Sequence, residues 1–325
     1  MQLFALNATK TFGEKIAAAL RVKLSAHEER EFEDGEHKAR PLVSVRGEDV
    51  YIVQSLHGGP DQSPNDKLCR LLFFLATMKE NGAARVTAVI PYLAYSRKDR
   101  QTKPRDPVTT RYVAQILEAV DADRIITLDA HNVVAFQNAF RCETIHLDTQ
   151  RLFAERAFAL VGGAPVVVAS PDPGGVKRAQ LFRETLERLL GRPVGGAFME
   201  KRRSAGVITG NLLVGDVAGA AALVVDDLIA SGATMARAAQ ALHDAGAAAI
   251  YAFAAHGLFT GEAATALQDP HLAKIFITDT VPPFRLEKGV VDSHVEIISA
   301  APLFAEAILA LHEGNSINSV LQGLA

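Results

Sequence analysis

Two cysteines in 325 residues, Cys69 and Cys142, cannot build a disulfide framework, and no paired Cys/His spacing marks a zinc site. Both cysteines read as small buried hydrophobes in a reducing compartment. A net charge of −3 leaves no general basic field, which excludes broad nucleic-acid binding; any anion site has to be a local cluster. No apolar run reaches bilayer length before a charge interrupts it, so no membrane partner is expected. The opening Met1-Gln2-Leu3-Phe4 lacks a basic segment followed by a long apolar core, so the expected location is the cytoplasm.

What is present is a globular composition, 49% apolar and 22% charged, long enough for two domains with separate cores. Short β-branched runs alternate with helical segments, the pattern of α/β folds with parallel sheets and crossover helices. Strands are predicted over Val50–Gln54, Val86–Ile90, Ile125–Leu128, Val166–Ala169, Leu223–Val225, Ile250–Phe253, Ile275–Thr278 and Val295–Ile298. A helix is predicted over Asp66–Glu80 with Asn65 as its cap, and another after Asp106, with Pro107 in its first turn. Further helices are predicted over Met235–His243 and Pro302–His312. Two similar halves meet near residues 148–155. The expected division is 1–150, 151–300, and a terminal helix in 301–325 returning to the first half.

The most informative stretch runs from Val224 to Thr234, Val-Val-Asp-Asp-Leu-Ile-Ala-Ser-Gly-Ala-Thr. An apolar strand ends in two carboxylates, and a small-residue loop then enters a helix. In open α/β sheets ligands sit at the carboxyl ends of strands, and a loop entering a helix N-terminus suits an anion. Asp226 and Asp227 can accept from neighbouring sugar hydroxyls, while the amides and hydroxyls of Ser231, Gly232, Ala233 and Thr234 can wrap a phosphate. The ligand so described is a ribose 5-phosphate group. A buried strand with a solvated Asp-Asp turn would explain the carboxylates but not the loop.

Four other clusters carry chemistry, each with a plainer alternative. The loop Pro91–Arg105 includes Arg97, Lys98, Arg100, Lys103 and Arg105 directly after a strand and suits a polyphosphate; alternatively it is a solvated basic loop. Phe32-Glu33-Asp34-Gly35-Glu36 offers a ring for a purine and carboxylates for amine or ribose hydroxyls, or is an acidic hairpin turn. Asp129 and His131, two apart after a strand, can converge, and Asp172 leaves another strand in the same manner; such groups can hold a magnesium ion or be structural hydrogen-bonders. Lys201-Arg202-Arg203 can close over a transferring phosphoryl group or be a surface turn.

Together and in this order, these elements resemble the ribose-phosphate diphosphokinase (phosphoribosyl pyrophosphate synthase) family over nearly the whole chain. The resemblance implies two tandem phosphoribosyltransferase-type domains with mainly parallel sheets, an ATP-side first domain and a ribose 5-phosphate site in the second. It implies ATP contacts at Phe32, Asp34, Gly35, Glu36, Arg97 and Lys98, magnesium (Mg2+) at His131 and Asp172 with Asp129 beside them, and catalysis by Lys201 and Arg203. Arg203, Asp226, Asp227 and residues 230–234 would hold ribose 5-phosphate. A homo-oligomer is expected on the same ground. Ala230 stands where the family usually carries an aspartate, and Lys98 where glutamine is common. A plain phosphoribosyltransferase and a non-catalytic regulatory homologue are the competing readings.

Overall fold

The computed structural model describes the backbone of residues 1–204, 207–318 and 320 and, outside 201–211, their side chains. The chain divides into two compact units, Met1–Asp148 together with the segment from Ala300, and Thr149–Ser299.

The first unit contains β1 (Gln2–Ala5), α1 (Lys10–Leu20), β2 (His27–Glu31), β3 (His37–Pro41), β4 (Asp49–Val53) and α2 (Pro64–Glu80). It continues through β5 (Arg85–Ile90), α3 (Thr109–Ala119), β6 (Arg124–Leu128), α4 (Val133–Ala139) and β7 (Glu143–Leu147). Its five-stranded sheet has the order β1-β4-β5-β6-β7 and is parallel throughout. β4, β5 and β6 are buried almost without interruption, as central parallel strands covered by helices on both faces are. β2 and β3 form a separate antiparallel hairpin.

Two helix starts differ from expectation. The cap of α2 is Ser63, two residues before Asn65: Ser63 Oγ accepts from Asp66 N at 3.2 Å and Ser63 N donates to Asp66 Oδ2 at 2.7 Å, a capping box with Pro64 at the first position. α3 begins only at Thr109, because the Asp106 carboxylate is turned back into the preceding loop.

The second unit contains α5 (Gln150–Val161), β8 (Val166–Ser170), α6 (Val176–Leu190), β9 (Gly195–Ser204), β10 (Val207–Val214), β11 (Ala221–Ile229) and α7 (Ala233–Asp244). β12 (Ala249–Gly257), α8 (Ala263–Ala266), β13 (Lys274–Thr278), α9 (Lys288–His294) and β14 (Val295–Ile298) follow. Its seven-stranded sheet has the order β10-β9-β8-β11-β12-β13-β14, parallel except for the β9–β10 pair. Alternate residues of β11 feed two cores: Leu223 and Val225 join Phe182, Phe253 and Phe276, while Ala222 and Val224 join Met235 and Leu242. β11 is therefore held on both faces up to the acids near its end.

The helix α10 (Ala301–Glu313) belongs to the first unit and lies along α1. Phe304, fully buried, meets the Phe12 ring edge-on at 5.5 Å, and burying such a side chain contributes about 1.5–3 kcal/mol. His312 Nδ1 stands 2.9 Å from Asp49 Oδ2, which also accepts from the guanidinium of Arg85. No helix among the described residues is long and apolar enough to cross a membrane.

Candidate active site

In the second unit, β11 runs through the paired acids to Ile229, longer than the predicted Leu223–Val225, because Leu228 and Ile229 still pair with His256 and Gly257 of β12. Successive side chains of a strand point to opposite faces. Even so, one nitrogen reaches both carboxylates: Arg178 Nη1 lies 3.1 Å from Asp226 Oδ1 and 3.4 Å from Asp227 Oδ1. Asp226 Oδ1 also accepts from Asp227 N at 2.9 Å. Burial, and then the neighbouring Asp227, push the Asp226 carboxyl well above the ordinary carboxylate range, with Arg178 pulling the other way.

The loop after the acids turns sharply into α7. Gly232 has φ +75°, and a Cβ there would stand 2.9 Å from that of Ala266, so both backbone and space require glycine. Ser231 and Ala233 are exposed, Ala230 and Thr234 half-buried. The first amides of α7 lack acceptors within the helix, which leaves them for an anion. Ala230 O accepts from Thr260 N at 2.9 Å, fixing the mouth of the loop.

Asp172 stands at the end of β8. Its Oδ1 accepts from Gly174 N (2.8 Å) and Gly175 N (3.0 Å), and Ser170 Oγ donates to its carbonyl at 2.6 Å. The rigid turn so formed leads into α6, which carries Arg178. Sequence reasoning missed Arg178. The available signal was its place three residues past Gly175, in the first turn of a helix opened at a strand end.

In the first unit the expected ATP-side residues lie on two loops that both dock on α2. Phe32–Glu36 is the tip of the β2–β3 hairpin: Phe32 N donates to Glu36 O (2.7 Å), Glu36 N to Asp34 Oδ1 (3.1 Å), and Gly35 sits at φ +89°. Phe32 is 40% exposed, with the Arg30 guanidinium over its ring at 5.2 Å. His37 stacks on Phe73 of α2 at 5.3 Å, and Arg70 of α2 pairs with Glu31 at 3.3 Å. From the second loop, Tyr95 donates its hydroxyl to Asn65 of α2.

Arg97 is exposed, but Lys98 is committed within its own loop. Its Nζ donates to Asp106 Oδ2 at 2.5 Å and Thr102 Oγ1 at 2.9 Å, and the same Asp106 oxygen accepts from Thr102 and Lys103 amides. Lys98 and the Thr102 hydroxyl hold the Asp106 carboxyl far below the usual carboxylate range.

Asp129 and His131 do not follow strand alternation as expected. The extended backbone stops at Leu128; Asp129 is buried at φ +39° and His131 is exposed. His146, which the sequence reading passed over, accepts at Nε2 from Ala130 N at 3.1 Å. Asn132 Nδ2 donates to Asp99 Oδ2 at 2.6 Å and so joins this segment to the basic loop.

Among the described residues no group of three or more acidic, imidazole or thiol side chains is gathered for a metal. Magnesium does not require one, since it keeps several waters and takes one or two carboxylates with substrate phosphates. Asp172 fits that role: its Oδ1 is anchored by two amides, and Oδ2 lies outside those bonds. His131 and Asp129 belong to the first unit and Asp172 to the second. The side chains of Lys201 and Arg203 lie outside the described residues; their backbone is in β9.

Comparison with known proteins agrees with this architecture. Residues 1–120 match the N-terminal domain of ribose phosphate pyrophosphokinase, and residues 207–322 the phosphoribosyl synthetase-associated domain. The ribose-phosphate pyrophosphokinase of Caldanaerobacter subterraneus is 38% identical over 321 residues, 98% of this chain and 97% of its own. Ribose-phosphate pyrophosphokinase 1 of Streptococcus pyogenes is 35% identical, covering 99% and 98%. The crystal structure of phosphoribosylpyrophosphate synthetase from Mycobacterium smegmatis superposes with a TM-score of 0.86 at 32% identity, over 97% of this chain and 99% of that one. On this full-length likeness in sequence and fold, the chain belongs to the ribose-phosphate pyrophosphokinase family.

Proposed function

We propose that the chain transfers the intact β,γ-diphosphoryl group of ATP to the C1 hydroxyl of ribose 5-phosphate, for nucleotide biosynthesis. The products are 5-phospho-α-D-ribose 1-diphosphate and AMP. The observation that carries the reading is the end of β11, where two acids precede a glycine-dependent loop that opens onto the first amides of α7. Carboxylates accept from vicinal hydroxyls and helix-terminal amides donate to a phosphate, so the motif supplies both ends of a phosphorylated pentose.

Asp226 and Asp227 orient the sugar, and Ser231 to Thr234 anchor its phosphate. The C1 oxygen attacks the β-phosphorus in line, the bond from that phosphorus to the oxygen of the α-phosphate breaks, and the hydroxyl proton leaves to solvent. Positioning and charge stabilisation dominate such a transfer. Arg97 and the basic loop face the triphosphate, with Phe32, Asp34, Gly35 and Glu36 for the nucleoside; Lys98 contributes chiefly by holding the loop. Asp172 would hold magnesium, which when bound neutralises phosphate charge; His131 and Asp129 are the further contacts that the family resemblance implies. Lys201 and Arg203 carry the catalytic role that the family resemblance implies. Cytoplasmic location and a homo-oligomeric state complete the proposal.

Incubation of the pure protein with ATP, magnesium and ribose 5-phosphate should yield AMP and the diphosphate in equal amounts. Release of ADP, or no AMP at all, contradicts the reading. Without any turnover, the regulatory homologue becomes the better description. Lys201→Ala should lower turnover about 10²–10³-fold, the loss typical of one electrostatic transition-state donor.

A further inference from the structure

We propose that Arg178 is a positioning residue of the ribose site, a cationic clasp that keeps Asp226 and Asp227 together as hydrogen-bond acceptors for the sugar hydroxyls. This rests on the reading of the paired acids as the sugar's partners.

The geometry is specific. Adjacent residues on a strand diverge, yet Arg178 Nη1 contacts a carboxylate oxygen of each, at 3.1 and 3.4 Å. The three side chains are largely buried, with 20%, 19% and 4% exposed for Arg178, Asp226 and Asp227. The Asp172 turn places the guanidinium. A Cβ on Gly175 would stand 2.7 Å from Ser170 Oγ and 3.7 Å from Arg178 Nη1, so the bare backbone at that position lets the turn close and the arginine lie against it.

The chemistry gives the clasp its purpose. An ionised carboxylate only accepts, whereas a protonated one presents a donor to a hydroxyl that must itself donate. Two buried acids side by side resist joint ionisation, and the first of them to take a proton spoils the site. The charged groups bearing on Asp226 are Asp227 beside it and Arg178 from α6. On neighbouring elements, Ala254 of β12 is in register with Asp226 and His256 with Leu228, Ser170 and then Asp172 end β8, and Arg237 of α7 turns to Thr234 Oγ1. The arginine is thus the cation that offsets the pair. Removing it favours protonation, so sugar binding should fail first on the acid side.

The test compares wild type, Arg178→Gln and Arg178→Lys in AMP formation between pH 6 and 9, varying ribose 5-phosphate and ATP separately. For Arg178→Gln, KM for ribose 5-phosphate should rise about 10-fold at the acid end and converge toward wild type at the alkaline end, because losing the cation favours the protonated pair. KM for ATP should stay within about 2-fold, and Arg178→Lys should recover most of the loss. Adding Asp227→Asn to Arg178→Gln should raise KM for ribose 5-phosphate further at alkaline pH, because an acceptor is lost, while moving the midpoint of the acid limb back toward wild type, because one of the two competing charges is gone. Thermal melts identify unfolded variants, and if Arg178→Gln does not fold, the lysine variant carries the test through a smaller shift of the same sign. A loss equal at every pH, or one shared by the KM for ATP, overturns the clasp while leaving the function intact. Absence of AMP from wild type would instead overturn the function.

Discussion

The ends of β5 and β11 carry opposite charge and are built on opposite principles. At the end of β11 the acids are part of the sheet, paired to β12 on one side and contacted by Arg178 of α6, and the loop beyond them admits only glycine at its turn. After β5 the cations ride on a long irregular loop, held internally by the Lys98–Asp106 contact and tied to the segment after β6 by the Asn132–Asp99 bond. A site embedded in a sheet is rigid before its ligand arrives. A site on a loop held by one half-buried ion pair and one side-chain hydrogen bond has weaker local restraints, because single pairs near the surface contribute little in water. Under the proposed roles, the end of β11 should therefore be intolerant of substitution, and the loop after β5 forgiving.

The largest effect should come from Asp226→Asn. It keeps the shape but weakens acceptance from the sugar, and kcat/KM for ribose 5-phosphate should fall about 10²–10³-fold while KM for ATP stays put. An equal rise in both KM values would erase the distinction between the two ends. Gly232→Ala should come next. The strained φ and the 2.9 Å approach to Ala266 should destabilise the fold by about 1–3 kcal/mol and raise KM for ribose 5-phosphate, seen in thermal melts and steady-state kinetics.

Asp106→Ala should be milder, since it frees an exposed loop. KM for ATP should change about 3-fold, with a steeper salt dependence as Lys98 becomes a free cation. A loss approaching that of Asp226→Asn would show the basic loop to be as preorganised as the sheet.

The smallest effect should be His312→Ala, remote from both strand ends, at about 0–1 kcal/mol of stability with kinetics unchanged. Burial alone would raise Asp49, but hydrogen bonds from Arg85, His312 and Tyr51 outweigh it and hold that carboxyl below its ordinary value. A depressed carboxylate stabilises the fold fully above its unfolded pKa of about 3.9 and loses that contribution as pH falls through the folded value. The difference between wild type and His312→Ala in chemical unfolding should therefore shrink in acid.

The sheet-embedded half was the more legible in the sequence, for a physical reason. Buried parallel strands announce themselves as apolar runs, so β4, β5, β6, β8 and β13 lie within a residue of expectation at each end. The acids ending β11 and the glycine after them stand in one continuous string. The rest depended on contacts distant in sequence. Arg178 meets Asp226 across 48 positions, and nothing in the string Val-Lys-Arg-Ala tells which way its arginine turns. Asp106 looked like a helix cap because aspartate before proline usually is one; the Lys98 ammonium and two loop amides competed for the same carboxylate and won. Asn65 lost the cap of α2 to Ser63 because the reciprocal bond to Asp66 and Pro64 at the first position favour the earlier start. Alternation puts Asp129 and His131 on one face, but the strand ends at Leu128, directly before Asp129 and three residues before His131.

The most direct test of the account is a crystal structure of the protein soaked with ribose 5-phosphate. The sugar hydroxyls should lie on the Asp226 and Asp227 carboxylates, with the phosphate against the backbone of Ser231 to Thr234. A well-ordered ribose 5-phosphate bound anywhere else, with those carboxylates and amides untouched, would contradict it.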